Sequence, residues 1–108
     1  MKVFSYLMVS TNKMINISLN DDLLEDFNKN GFLVLDKFID LQYLEDLRER
    51  IEPLFKGEFE TGIEPDEWNW KYGKDSNDVT RQICNAWKSD NLIKQVVCNS
   101  TIGECVSK

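Results

Sequence analysis

The chain has 108 residues, of which 42% are hydrophobic and 11% aromatic, and its formal net charge is −6. That length allows at most one domain with a modest core. The acidic balance argues against a nucleic-acid partner, because no basic stripe is present to displace counterions, and no apolar run is long enough to span a bilayer.

Residues 19–56 hold ten acids and five bases, and residues 57–78 hold seven acids and two bases. Such runs are ordinarily solvated faces of helices and loops. The sharper reading is an acidic patch for a cationic ligand. Cys84, Cys98 and Cys105 make an odd number with no C-x-x-C. This usage points to reduced thiols in a reducing compartment, so the expected location is cytoplasmic. The sequence has no histidine, so a zinc site would lack its fourth ligand. Each Cys then reads as a small hydrophobe.

Residues 1–17 are weakly patterned and are expected to form a loose extension or an added strand. Met1–Val9 carries one Lys and a short apolar run. It lacks the small-residue cleavage site of a secretory signal, so the Asn16-Ile-Ser and Asn99-Ser-Thr sequons carry little weight. Residues 18–108 are expected to form the folded part.

A first helix starts near Ser18–Asn20, where two caps compete. Ser18 with Asp21 reads as a capping box. Asn20 as N-cap would instead let Leu19 staple onto Leu24. Asp21 and Asp22 fall in the first turn, where the helix dipole favours acids. Leu23, Leu24 and Phe27 make its apolar stripe, and Gly31 supplies the left-handed residue that ends it. Phe32-Leu33-Val34-Leu35 is too short for a helix and apolar throughout, which predicts a strand buried on both faces.

Asp40 is expected to cap a second helix, with Leu41, Leu44, Leu47 and Ile51 on one face and Tyr43 at its edge. Asp46 and Arg50 are spaced as an i,i+4 ion pair. Pro53 should kink or end this helix. Residues 57–80 contain three of the five glycines and the second proline, and read as a long loop rather than a regular element. Trp68, Trp70 and Tyr72 lie inside it, either as rings pinning the loop to the core or as a substrate rim. Arg81–Trp87 suits a second strand or a turn of helix. Asp90 caps a short helix with Leu92, Ile93, Val96 and Val97 on one face. Ser100 opens another, with Ile102 and Val106 inside, which runs to Lys108 with no Gly or Asn to close it. That is the pattern of a helix expected to continue.

No catalytic constellation assembles. Without histidine, Ser-His-Asp and Cys-His arrangements are excluded. No phosphate-cradling glycine motif is present. Asp75-Ser-Asn-Asp lacks EF-hand spacing. Glu64, Asp66 and Glu67 are candidate acid–base carboxylates, although solvated loop acids are far commoner.

Two stretches carry a family likeness. DLLEDFNKNGFLVLDKFIDLQYLEDLRERIEPL resembles the opening of phytanoyl-CoA dioxygenase-like (PhyH) proteins. The matching positions are Phe27, Gly31, Phe32, Leu33–Leu35, Leu44, Leu47 and Arg48. The later TRQICNAWKSDNLIKQVVCNSTIGECVSK resembles the next part of the same family. The resemblance implies an α+β chain whose N-terminal helices and one or two short buried strands wrap a double-stranded β-helix, a jelly-roll or cupin-like core. It implies an enzyme holding Fe(II) through a His-x-Asp and a distant His, with 2-oxoglutarate as cosubstrate, that hydroxylates a C–H bond of a small-molecule substrate.

The chain departs from that pattern. It has neither His-x-Asp nor a distal His, and these belong to the core that follows the matched region. No catalytic, cofactor-binding or metal residue transfers, and Arg81 matches a strand position rather than the cosubstrate arginine. The expectation is therefore an N-terminal portion of such an oxygenase, inactive alone and without a cofactor of its own, with self-association through exposed apolar faces. The competing expectation is a small non-catalytic α+β interaction module that uses the acidic, Trp-rich loop 57–78.

Overall fold

The computed structural model describes residues 14–108, so most of the extension expected over residues 1–17 lies outside the described residues. The element order is α1 (Asp21–Asn30), α2 (Leu41–Phe55), β1 (Glu67–Trp68), β2 (Ile83–Cys84), a 3-10 turn (Ala86–Lys88), α3 (Asn91–Val97) and α4 (Ser100–Val106). The chain is thus a small α+β protein, mostly helical, with one short antiparallel sheet. It divides into two compact units. One comprises the residues up to Leu41 together with Ser100–Lys108, and the other Gln42–Asn99.

In the first unit, Asn20 is the N-cap of α1. Its side-chain oxygen accepts from the Leu23 N–H at 2.9 Å, satisfying a donor that the helix leaves unpaired. Gly31 closes the helix at φ 77°, where its N–H reaches the Phe27 carbonyl at 2.8 Å. A left-handed residue at this position turns the chain back and removes an orphan carbonyl. Ile15 and Ile39 form an antiparallel bridge, with Asn16 N–H to Phe38 O at 2.7 Å and Asp40 N–H to Met14 O at 2.9 Å. Ile15 is buried there.

The strand expected at Phe32–Leu35 is a correction. The segment is irregular, and it has a ladder partner nowhere among the described residues. It is covered on one side only: Phe32 is 65% and Val34 73% exposed, while Leu33 and Leu35 are half-buried. An apolar run specifies what would be favourable to bury, and no described element covers the second side. Helix α4 spans Ser100–Val106, and the Ser107 hydroxyl donates to the Glu104 carbonyl at 2.8 Å, satisfying one of the terminal acceptors.

In the second unit, α2 runs two residues past Pro53. A proline one turn from the end forfeits a single helical bond, so it does not break the helix. The ending is made by Gly57 at φ 84°. Glu58 N–H reaches Pro53 O and Gly57 N–H reaches Leu54 O, each at 3.0 Å. This is the paired 6→1 and 5→2 closure of a Schellman motif. The apolar stripe of α2 is unevenly used: Leu41, Leu44 and Ile51 are exposed, whereas Leu54 in the last turn is 3% exposed. The helix anchors by its C-terminal end.

Residues 57–80, expected to lack regular structure, contain β1. It pairs with β2 in the register Glu67–Cys84 and Trp68–Ile83. The segment read as strand or helical turn supplies both, β2 and then the 3-10 turn. Two-residue strands carry too little periodicity to be seen in a sequence.

Gly57 has a second duty. A Cβ placed there would lie 2.7 Å from Cη2 of the Trp68 ring. Gly57→Ala should therefore lose roughly 1–2 kcal/mol for the left-handed backbone plus the displacement of that ring. Gly73 has φ 77°, and a Cβ added to it would meet nothing within 4 Å, so Gly73→Ala should lose only the backbone part. All three tryptophans lie in the Gln42–Asn99 unit, so urea unfolding followed by tryptophan fluorescence measures the difference directly.

Candidate functional site

The three aromatics singled out in the sequence do not share one surface. Trp70 is 1% exposed, and its Nε1 donates to the Ser76 carbonyl at 2.9 Å. Its ring meets Phe55 edge-on at 6.1 Å and carries the Arg81 guanidinium 4.0 Å from its centroid. Arg81 is held by Glu52 at 3.2 Å and Asn77 at 3.4 Å. The stack therefore couples α2 to the loop through both dispersion and cation–π attraction. Trp68 packs edge-on against Phe59 at 5.3 Å, with its Nε1 shielded and without a hydrogen-bond partner. Tyr72 is 64% exposed, with the Lys56 ammonium 5.1 Å from its ring. Two of the rings fasten the loop to α2 and to the turn after it, and the third lies at the surface.

The polar centre of this unit is a residue pair that local reading misses. Arg50 does not pair with Asp46, which accepts instead from Gln42 at 2.9 Å. Its Nε donates to Asp90 Oδ2 at 2.6 Å and its Nη2 to Glu60 Oε2 at 2.6 Å. Asp90 is 1% exposed. Its other oxygen accepts from the Leu92 and Ile93 N–H groups at 3.0 and 3.1 Å, capping α3. The hydrogen bond from Arg50 to Asp90 raises the arginine pKa, against some lowering by burial. Glu60 also accepts from Asn91 at 2.7 Å. The neighbouring Ser89 is fully buried. Its hydroxyl donates to Ile63 O at 2.7 Å, and the Thr61 hydroxyl donates to Lys88 O at 2.6 Å. Residues 60–63 are thereby stitched to residues 88–91.

The carboxylates considered for acid–base work are occupied or dispersed. Asp66 accepts from Lys88 and from Asn85. The Lys88 bond first, and the Asn85 bond second, hold its pKa below the ordinary 3.8. Glu67 accepts from the Cys84 thiol at 3.4 Å, and Glu64 is exposed. Asp75 accepts from the Lys71 N–H at 2.6 Å, closing a turn of its own. Among the described residues no group of three or more His, Cys, Asp or Glu could hold a metal ion. No described helix is long and apolar enough to cross a membrane.

The first unit holds an apolar groove shaped to receive something. This groove of about 570 Å³ is lined by Leu24 and Phe27 of α1, Leu33 and Leu35 of the irregular segment after it, and Ile102 and Val106 of α4, among others. Its size suits an apolar side-chain cluster or a small apolar molecule. The sequence shows these residues as helix stripes and a strand. It does not show that they leave a groove among themselves.

Against known proteins, the chain matches no family model, no curated protein and no solved structure at a significant level.

Two measurements test the polar site. Asp90→Ala removes a buried partner and a helix cap together, and should cost about 2–4 kcal/mol in urea unfolding. Asp90→Asn keeps a capping oxygen and should cost less. For Asp66 the folded pKa lies below its ordinary value. Its contribution to stability is therefore complete above pH 3.8 and is lost as pH falls through the folded value. Asp66→Asn should be less stable than the parent at neutral pH, and the gap should close on acidification below 3.8. A gap that stayed constant with pH would assign the role of Asp66 to shape rather than charge.

Proposed function

We propose that this chain is the N-terminal wrapping portion of a phytanoyl-CoA dioxygenase-like oxygenase, supplying an apolar covering surface to a larger body rather than chemistry of its own. The observation that carries this reading is where the resemblance residues lie. Phe27, Leu33 and Leu35 line the groove, and Phe32 between them is exposed. Residues that are apolar for packing reasons, yet face a groove or open water, suit a surface that a further element would cover. A facial-triad iron site needs two imidazoles and a carboxylate, and this sequence has no imidazole. Fe(II) and 2-oxoglutarate do not fit the residues present, so no step of that reaction is assigned to them. The substrate, and the double-stranded β-helix itself, belong to residues outside this chain.

A second reading, an interaction module, keeps one favourable observation: every residue from 71 to 80 is exposed, Tyr72 among them. It lacks a broad aromatic surface, because Trp68 and Trp70 are committed to packing.

The deciding experiment is to sequence the transcript past the Lys108 codon. A frame that continues into a His-x-Asp, a distant His and a following Arg supports the oxygenase reading. A stop codon there overturns it and leaves the interaction module. In protein terms, the pure 108-residue chain should bind the dye ANS through its apolar groove, and Leu33→Asn with Leu35→Asn should reduce that fluorescence. Tight stoichiometric Fe(II) binding with succinate release by the same chain would sink the proposal.

A further inference from the structure

We propose that Asn30 is a site of spontaneous deamidation, and that the closing turn of α1 sets how fast the reaction runs. The inference is independent of the oxygenase reading and concerns the 108-residue chain as it stands. Asn30-Gly31 is the only Asn-Gly pair in the sequence; every other asparagine is followed by a residue with a side chain. Asparagine is chemically labile, and the residue after it decides how labile. The reaction begins when the following backbone nitrogen attacks the side-chain carboxamide. A side chain on that following residue hinders the approach, and glycine has none.

Two features of the structure favour the attack. Asn30 and Gly31 are both exposed, so water reaches the carboxamide and any ring formed from it. Among the described residues, no hydrogen bond engages the Asn30 carboxamide, which is therefore free to rotate towards the backbone.

The attacking nitrogen, by contrast, is engaged. Gly31 N–H donates to the Phe27 carbonyl at 2.8 Å, and Asn30 is the last residue of α1. Ring closure needs that hydrogen bond broken. It also needs Asn30 turned out of its helical conformation, because its Cα–C bond becomes part of the ring. The reaction thus runs from molecules whose last turn has opened. A helix end opens at a lower free energy than the whole fold, so the closure slows the reaction without abolishing it.

Water is the only co-reactant. The bond from Gly31 N to Asn30 Cγ forms, the Cγ–Nδ2 bond breaks, and the amide proton leaves with the side-chain nitrogen as ammonia. Water then opens the succinimide at either carbonyl, giving aspartate or isoaspartate. Either product places a carboxylate at the C-terminal end of α1, where the helix dipole disfavours an anion. The isoaspartyl product also adds a methylene to the main chain between Phe27 and Leu33, which line the same groove.

Peptide mass spectrometry of the full chain, held at neutral pH either folded or unfolded in urea, tests the proposal. Chromatography separates the aspartyl and isoaspartyl peptides. In urea, Asn30 should convert before any other asparagine, and Gly31→Ala should slow it by about tenfold, the mark of a hindered approach. In the folded chain Asn30 should still convert, about tenfold more slowly than in urea. Three results would each overturn the proposal: a folded chain that keeps Asn30 intact while the unfolded chain converts it fully, equal rates in the two states, or a Gly31→Ala chain that converts as fast as the parent in urea.

Discussion

A carboxylate withdrawn from water organises the larger unit. Asp90 sits 1% exposed at the start of α3, and burying such a charge is costly unless its lone pairs are satisfied. Two backbone N–H groups satisfy one oxygen and Arg50 satisfies the other. The arginine must then be held in place, and Glu60 holds it. Glu60 in turn fixes the loop that follows α2, and Asn91 fixes Glu60. Helix α2, the loop and α3 are thus positioned by the geometry of one planar guanidinium, whose separated donors a lysine could not reproduce. The Trp70–Arg81 stack does the same work at the other end of the loop, with Glu52 as its anchor on α2.

How much of this the sequence discloses depends on the range of the interaction. The Asn20 and Asp90 caps and the Gly31 closure are local rules, in which a side chain or a conformation answers a backbone group a few residues away. The Asp90 cap and the Gly31 closure appear where those rules place them, and of the two caps the sequence leaves open, Ser18 and Asn20, the structure uses Asn20. The i,i+4 rule fails at Arg50 for an identifiable reason. An exposed intrahelical pair gains only a few tenths of a kcal/mol, and the buried carboxylate of Asp90, forty positions later in the chain, is a stronger claimant. Gly57 is visible in the sequence as a breaker, but its contact with Trp68 depends on a fold already formed. The Phe32–Leu35 segment shows a different limit. Composition states what a segment would gain by burial, not whether the chain contains the element to bury it.

The two units answer the shortage of core differently. The Gln42–Asn99 unit buries few large apolar side chains, Trp70 and Leu54 foremost, and supplements them with a connected set of charge-assisted hydrogen bonds. The other unit is described best by its apolar surface. It keeps its apolar side chains around an open groove, with Phe32, Val34 and Val106 facing solvent. A polar network is directional and closes on itself, whereas an apolar surface is satisfied by any complementary partner.

That distinction bears on the acidity of residues 57–78. Read as composition, seven acids against two bases suggest a patch awaiting a cation. In the structure Glu60, Asp66, Glu67 and Asp75 are each bonded to a donor of this same chain. A carboxylate already accepting from an arginine, a lysine, a thiol or a backbone N–H would have to surrender that bond to take up an external ligand, and its gain would be the difference between two similar interactions. The negative charge of the loop is mostly spent on folding the loop. Exposed apolar surface, by contrast, is left on the segment between α1 and α2, at Phe32 and Val34, and at Val106 of α4.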